Sequence, residues 1–153
     1  MRRTLLWSGV DAPRMEIAHV EVSGGEVRAR GTQIGATYEV RYELEPGVMR
    51  VGVVRGSRLV LEPEDADFFD LAHSPLFNSL PVLRDGLHHD GEPRDYVMRW
   101  VDVPSLEASR SEQRYEPLGD GVVRFRSGSF TADLVFDTEG FVMEYPGLAR
   151  RAG

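Results

Sequence analysis

The chain has 153 residues, a length typical of one domain, and its 41% hydrophobic and 28% charged content is that of a folded protein. It contains neither cysteine nor lysine, which excludes disulfides, thiolate nucleophiles, cysteine-bound metals, Schiff bases and P-loop lysines. The formal net charge of −7 disfavours nucleic acid and anionic membranes as partners, because like charges repel. An acidic surface that keeps the protein in solution is the simplest explanation of this charge.

The N-terminus shows no targeting signal. The apolar run that follows Arg2 and Arg3 is too short for the core of a signal peptide, and Asp11 comes soon after it. No later segment approaches the length of a transmembrane span. We therefore expect a cytoplasmic protein without a transmembrane segment.

Apolar and polar residues alternate along most of the chain, most regularly from Ala36 to Leu44. Turn signals at Ser23-Gly24-Gly25, Pro46-Gly47 and Asp137–Gly140 separate such runs, which number about ten. This pattern predicts a single all-β domain over residues 1–153. We expect either an antiparallel meandering β-barrel or a strongly curved sheet, with little helix.

Helix signals are few. Pro63-Glu64-Asp65 is typical of a helix start and predicts a short helical turn through Phe68–Leu71, and Ser105–Arg114 could form another. Residues 62–81 are predicted to be a long irregular connection, a kind of loop that often carries function.

Residues able to support catalysis give weak signals. If His88 and His89 lay on a strand they would point to opposite faces, and their spacing matches no zinc pattern, so we predict neither metal nor cofactor. The acidic run from Glu62 to Asp70 is most simply a solvated loop with a helix start. Serines lack the nucleophile-elbow pattern. We predict no catalytic residues.

Glu16 shares its strand phase with Ala18 and Val20, the apolar side. If that side faces inward, Glu16 is a buried charge that needs a partner. If the regular strand begins after it, the side chain reaches solvent. The sequence leaves both alternatives open.

Aromatic side chains fall mostly on the apolar strand phases. An interior that combines tyrosine hydroxyls with a tryptophan suits an amphiphilic guest, because buried hydroxyls need polar partners. A packed aromatic core is the alternative, and the commoner outcome for such a composition. These residues include Tyr38, Tyr42, Tyr96, Trp100, Tyr115, Phe125, Phe130 and Tyr145.

Several strings of residues resemble the bacterial family described as "putative glycolipid-binding". They are DLAHSPLFNSLPV (Asp70–Val82), SEQRYEPL (Ser111–Leu118) and FTADLVFDTEGFVMEYPGLARR (Phe130–Arg151), and Trp7–Glu16 and Val40–Leu44 agree as well. The resemblance covers nearly the whole chain. It implies a large curved antiparallel β-barrel shaped like lipoprotein and lipid carriers, and the glycolipid label rests on that shape.

The resemblance carries over no catalytic residues, and one region departs from it. Gly56–Phe69 is shorter and more acidic than the family pattern, which bears on the size of any barrel mouth. Motif matches and strand phases together give the candidate ligand-binding residues Glu16, Tyr42, Asn78, Arg84, Trp100, Gln113, Arg114, Tyr115 and Tyr145.

Three functional hypotheses follow. The first is non-catalytic binding of an amphiphilic or apolar small molecule, with a glycolipid as the named case, inside the barrel. The second is an enzyme that uses interior carboxylate and arginine groups. The third is a protein-interaction module that uses the acidic segment 62–70. The sequence leaves the ligand and the oligomeric state open.

Overall fold

A computed structural model describes residues 2–21, 24–45, 47–62, 64 and 66–152. Their regular secondary structure is mostly strand, with one helix of 11 residues in the described part. In chain order the elements are β1 (Arg2–Gly9), β2 (Met15–Glu21), β3 (Glu26–Gln33), β4 (Ala36–Glu43), β5 (Val48–Val53), β6 (Arg58–Leu61), β7 (Phe68–Leu71), α1 (Pro75–Asp85), β8 (Arg94–Val101), β9 (Ala108–Gly119), β10 (Val122–Ser127), β11 (Phe130–Phe136), β12 (Val142–Tyr145) and β13 (Ala149–Arg151).

All thirteen strands belong to one sheet, in the order β6-β5-β4-β3-β2-β1-β13-β12-β11-β10-β9-β8-β7. Neighbouring strands are antiparallel except for β7 and β8, which are parallel. The predicted all-β, mostly antiparallel fold is thereby confirmed. Of the two predicted forms it is the strongly curved sheet, since β6 and β7 form its two edges and do not pair in the described residues.

The alternation seen in the sequence becomes an inner and an outer face. In β4, Tyr38, Val40 and Tyr42 are buried, whereas Glu39 and Arg41 are exposed. The predicted turns are present where they are described, with Gly25, Gly47 and Gly140 all at positive φ. Ser23 and Pro46, which belong to two of those predicted turns, lie outside the described residues.

The placement of the helix corrects the sequence prediction. Phe68–Leu71 forms strand β7 instead of a helical turn, and most of Ser105–Arg114 lies in β9. Residues 75–81, predicted as part of an irregular connection, belong to α1, which continues to Asp85. Pro63 and Asp65, the predicted helix start, lie outside the described residues.

Local chemistry and burial explain helix α1. Pro75 occupies its first turn, where a missing N–H costs nothing, and Gly86 at φ 67° ends it, with its N–H donating to Val82 O at 2.8 Å. Pro81 inside the helix removes one backbone hydrogen bond. All residues from 75 to 82 are buried under the curved sheet, and this burial offsets the lost bond.

The turns between strands lie at two ends of the sheet, because consecutive antiparallel strands reverse direction. We call one end the mouth end; its connections are 10–14, 34–35, 54–57, 72–74, 102–107, 128–129 and 146–148. A hydrogen bond from Val10 N to Leu148 O at 2.9 Å joins two of these connections, and one from Val54 N to Thr37 O at 2.7 Å joins a third to β4. We call the other end the acidic end; its connections include 62–67 and 86–93.

Candidate functional site

A pocket of about 600 Å³ opens at the mouth end. It lies between α1 and the inner face of the sheet from β7 through β12, and its rim comes from three connections. Asp11, His73, Gly147 and Leu148 belong to that rim. This volume is within the range of roughly 300–1,000 Å³ that is usual for small-molecule sites.

The floor of the pocket is polar. Asp70 from β7, Asn78 from α1 and Gln113 from β9 line it, and all three side chains are buried. Gln113 Nε2 donates to Asp70 Oδ2 at 2.7 Å, and Asn78 Nδ2 donates to Tyr115 Oη at 3.1 Å. The Tyr115 hydroxyl in turn donates to Gln113 Oε1 at 3.4 Å, so one network spans helix and sheet.

One wall is aromatic. Phe125, Phe130 and Tyr145 lie side by side, with the Phe130 and Tyr145 rings stacked at 6.3 Å and the Phe125 and Tyr145 rings 6.4 Å apart. Trp100 lines the pocket from β8 and is partly exposed. Flat ring faces of this kind bind apolar chains or the less polar faces of sugars.

A row of serines completes the lining. Ser109 and Ser111 come from β9 and Ser127 from β10, and the hydroxyls of the last two are 3.3 Å apart. Arg110 also lines the pocket and pairs with Glu112 at 3.1 Å. The pocket therefore offers hydroxyl, amide, carboxylate and guanidinium groups opposite an aromatic wall.

Asp70 is the electrostatic centre of the floor. Burial raises its pKa from 3.8 to about 6, although the hydrogen bond from Gln113 opposes the shift. Among the described residues no arginine forms an ion pair with it. Burial also raises the pKa of Tyr115 and of Tyr145, and the nearby Asp70 adds to both shifts. Both phenols thus stay neutral donors while Asp70 titrates near neutral pH.

The burial of Asp70 corrects the prediction that this acid belongs to a solvated loop. It lies in a strand whose four residues are all buried. The run Phe68-Phe69-Asp70-Leu71 carried a usable signal, a single carboxylate inside an apolar segment of strand length. Ser109, Ser111 and Phe130 were also absent from the sequence candidates, because alternation assigns a face but not the strands that meet across it.

Five of the nine sequence candidates come together here. Asn78, Trp100, Gln113 and Tyr145 line the pocket, and Tyr115 is buried directly behind its floor. The other four lie elsewhere in the molecule.

Glu16 lies in a second polar cluster, at the N-terminus of α1. Its carboxylate is 2% exposed, so the burial alternative holds. It accepts hydrogen bonds from the Tyr38 hydroxyl, from Ser74 Oγ at 2.9 Å and from Leu76 N at 3.2 Å. Burial raises its pKa against the opposing effect of these bonds. Since Ser74 makes no capping bond of its own, Glu16 from β2 caps the helix.

Tyr42, Arg84 and Arg114 have structural surroundings. Tyr42 makes edge contacts with Phe69 and Phe77, at centroid distances of 6.1 and 6.0 Å. Arg84 lies in the last turn of α1, 4.3 Å above the Phe68 ring.

Arg114 is on the outer face of β9, where its Nη1 donates to both carboxylate oxygens of Asp95, at 3.0 and 2.9 Å. In the described part of the chain, no group of three histidine or carboxylate side chains is arranged to hold a metal ion. No helix among those residues is long and apolar enough to cross a membrane.

Comparison with known proteins agrees with this architecture. A family model described as "putative glycolipid-binding" matches residues 53–151, which supply every lining residue of the pocket except Asp11. The crystal structure of a DUF1089 family protein from Pseudomonas aeruginosa is similar, with a TM-score of 0.74 and 23% identity over 92% of this chain and 93% of that one. At this identity the likeness shows the fold alone. Comparison with curated proteins gives no match.

Proposed function

We propose that this chain, which belongs to the "putative glycolipid-binding" family, binds an amphiphilic small molecule in the mouth-end pocket without transforming it. The family description makes a glycolipid the leading ligand class. The observation that carries the proposal is the division of one open pocket into a polar floor and an aromatic wall.

The two sides of the pocket suit the two parts of such a ligand. Asp70, Asn78 and Gln113 supply acceptors and donors for sugar hydroxyls. Phe130, Tyr145 and the other rings of the wall suit an acyl chain or a sugar face. A purely apolar ligand would leave the floor without partners, which is costly.

The cost of keeping Asp70 supports a binding role. A pKa raised from 3.8 to about 6 means that the ionised carboxylate destabilises the fold by about 3 kcal/mol above pH 6. A neutral residue would avoid this cost. A ligand hydroxyl that donates a hydrogen bond to Asp70 would stabilise the charged form, so ligand binding would offset the cost of the buried charge.

Acid–base catalysis is a second candidate, favoured by the same pKa near neutrality. Incubation with a nitrophenyl glucoside separates the two. We expect the compound to remain intact. Release of nitrophenol that is lost in Asp70→Asn would establish the catalytic function instead.

Calorimetric titration with octyl glucoside, below its micelle concentration, tests binding. We expect saturable 1:1 binding, with glucose and octanol each much weaker. Trp100→Ala should reduce the affinity at least about fivefold, because a bound ligand would cover the ring of this aromatic side chain. Met143→Ala, an exposed side chain outside the pocket, is the matched control and should bind like the wild type. Absence of saturable heat with all three compounds would contradict the proposal.

Tryptophan emission gives a second readout. Trp7 is 1% exposed, and its Nε1 donates to Val142 O at 2.8 Å, so ligand should leave its emission unchanged. Trp100 lines the pocket and should respond. The emission change should therefore vanish in Trp100→Phe, and its persistence there would place the ligand elsewhere.

The pH dependence of binding tests the role of Asp70. Ligand hydroxyls bind the carboxylate better than the neutral acid, so the affinity should fall as the pH drops below about 6. Asp70→Asn should bind about tenfold more weakly at pH 7 and show no such fall. Equal affinity of variant and wild type at pH 7 would remove Asp70 from the site.

A further inference from the structure

The mouth end carries exposed aliphatic and aromatic side chains at the tips of its connections. Val10, Ile34 and Val54 each stand on a different connection, with exposed fractions of 58%, 80% and 49%. Phe130, beside the 128–129 turn, is also exposed and lines the pocket. We call these four residues the rim tips. They lie on or beside four different connections at one end of the sheet.

The backbone at one rim tip is strained. Ile34 and Gly35 both have positive φ, 50° and 74°. A two-residue hairpin turn of this kind favours Asn-Gly, because asparagine tolerates the left-handed region and a β-branched residue does not. An isoleucine that is 80% exposed gains little from burial within the fold. Its side chain is therefore better explained by a contact outside the chain.

Charge distinguishes the two ends of the molecule. The described connections of the acidic end contain Glu45, Glu62, Glu64, Asp67, Asp90 and Glu92 among their acids, and they contain no arginine. The mouth-end connections contain three acids, Asp11, Asp102 and Glu107, and two arginines, Arg14 and Arg55. Asp11 pairs with Arg14 at 2.8 Å. The mouth end is thus nearly neutral and apolar at its tips.

From the exposed apolar rim tips and the near-neutral charge of the connections around them, we infer that the mouth end docks on the surface of an electrically neutral lipid bilayer, with the rim tips inserted between headgroups. The inference rests on the proposed function, since the pocket then opens toward the source of its ligand. Protruding single apolar side chains suit a soft bilayer, whereas protein interfaces bury a contiguous patch. The two arginines of the mouth-end connections are outnumbered by three acids, and the net charge is −7, so anionic lipids gain no attraction.

Flotation with phosphatidylcholine vesicles tests the inference. We expect the wild type to float with the vesicles. The double variant Ile34→Asn/Val54→Ser should bind about tenfold more weakly, because two inserted side chains are lost. Val60→Ser/Leu118→Ser is the matched control: Val60 and Leu118 are 56% and 42% exposed but lie outside the mouth-end connections, so the control should float like the wild type.

Lipid charge and salt test the nature of the contact. Binding should not strengthen when phosphatidylglycerol is added and should survive about 1 M salt, where charge interactions are screened. Loss of flotation in high salt would overturn the inference. So would equal flotation of the rim variant and the wild type.

Further arms separate this inference from the proposed function. The rim variant should bind octyl glucoside like the wild type, because Ile34 and Val54 do not line the pocket. If the wild type binds octyl glucoside and does not float, docking is wrong and the pocket function stands. If it floats and does not bind octyl glucoside, the pocket function is wrong and docking stands. Dimerisation in sedimentation that the rim substitutions abolish would assign the tips to a second copy and overturn docking.

Discussion

A single carboxylate, Asp70, links the stability of this fold to its proposed function. Because its pKa is raised in the folded state, it favours folding below pH 3.8, and this contribution is lost as the pH rises through about 6. The carboxylate remains useful only if something binds it. Stability and ligand affinity should therefore respond in opposite directions when its charge is removed.

Asp70→Asn should raise the free energy of unfolding by about 2–3 kcal/mol at pH 7, since asparagine can still accept from Gln113 without a buried charge. The gain should shrink toward zero below pH 3.8, where the wild-type carboxyl is protonated as well. Urea unfolding of both proteins at pH 7 and pH 3.5 measures this difference. A gain that is the same at both pH values would contradict the assigned burial of charge.

Ile34→Asn should stabilise the fold by about 1 kcal/mol, because asparagine occupies the left-handed region at lower cost. Thermal unfolding of the variant measures the effect. Val54→Ser, exposed at a neighbouring tip, is the control and should change stability by less than about 0.5 kcal/mol. A destabilised Ile34→Asn would show that the side chain serves the fold itself.

At the scale of elements, the strands could be predicted and the helix could not. Alternation along β4 and the glycine turns are local signals, and they place most strands correctly. Helix α1 is buried from residue 75 to residue 82, including the polar Asn78 and Ser79, and it contains Pro81, so neither amphipathic periodicity nor propensity reveals it. Only the curved sheet that encloses it makes the helix favourable.

The capping of α1 by Glu16 gives a further prediction. Glu16→Ala leaves the hydroxyls of Tyr38 and Ser74 and the N–H of Leu76 without their partner in a buried setting. We expect a loss of about 3 kcal/mol or more in the free energy of unfolding, measured by denaturant titration.

Glu21→Ala provides the control on the same strand. Glu21 forms an exposed pair with Arg2 at the surface, so its removal should leave the free energy of unfolding nearly unchanged. If both variants were equally stable, Glu16 would have no capping role.

At the scale of the whole molecule, the candidate site was predictable only in part. Residues on apolar strand phases, such as Trp100 and Tyr145, could be identified from the sequence because alternation reveals the inner face. The partners that complete the floor come from β7, α1 and β9, which are separated along the chain. Their meeting depends on the curvature of a thirteen-stranded sheet and on the helix inside it, and neither leaves a local signal.

The three-dimensional fold explains why Arg114 and Glu16 match the family motifs although neither lines the pocket. Arg114 alternates with Gln113 along β9 and therefore points to the opposite face. Glu16 is on the inner face but belongs to the helix cap. A motif identifies residues that a fold requires, and geometry then separates those that line a cavity from those that build its walls.

Native mass spectrometry of the protein equilibrated with octyl glucoside tests the pocket most directly, since it counts bound ligands on the intact chain. We expect one ligand per chain on the wild type, a reduced fraction on Trp100→Ala, and an undiminished fraction on Met143→Ala. A wild-type spectrum that shows only the free protein, at ligand concentrations that saturate a site of millimolar affinity, would contradict the assignment of the mouth-end pocket as a binding site.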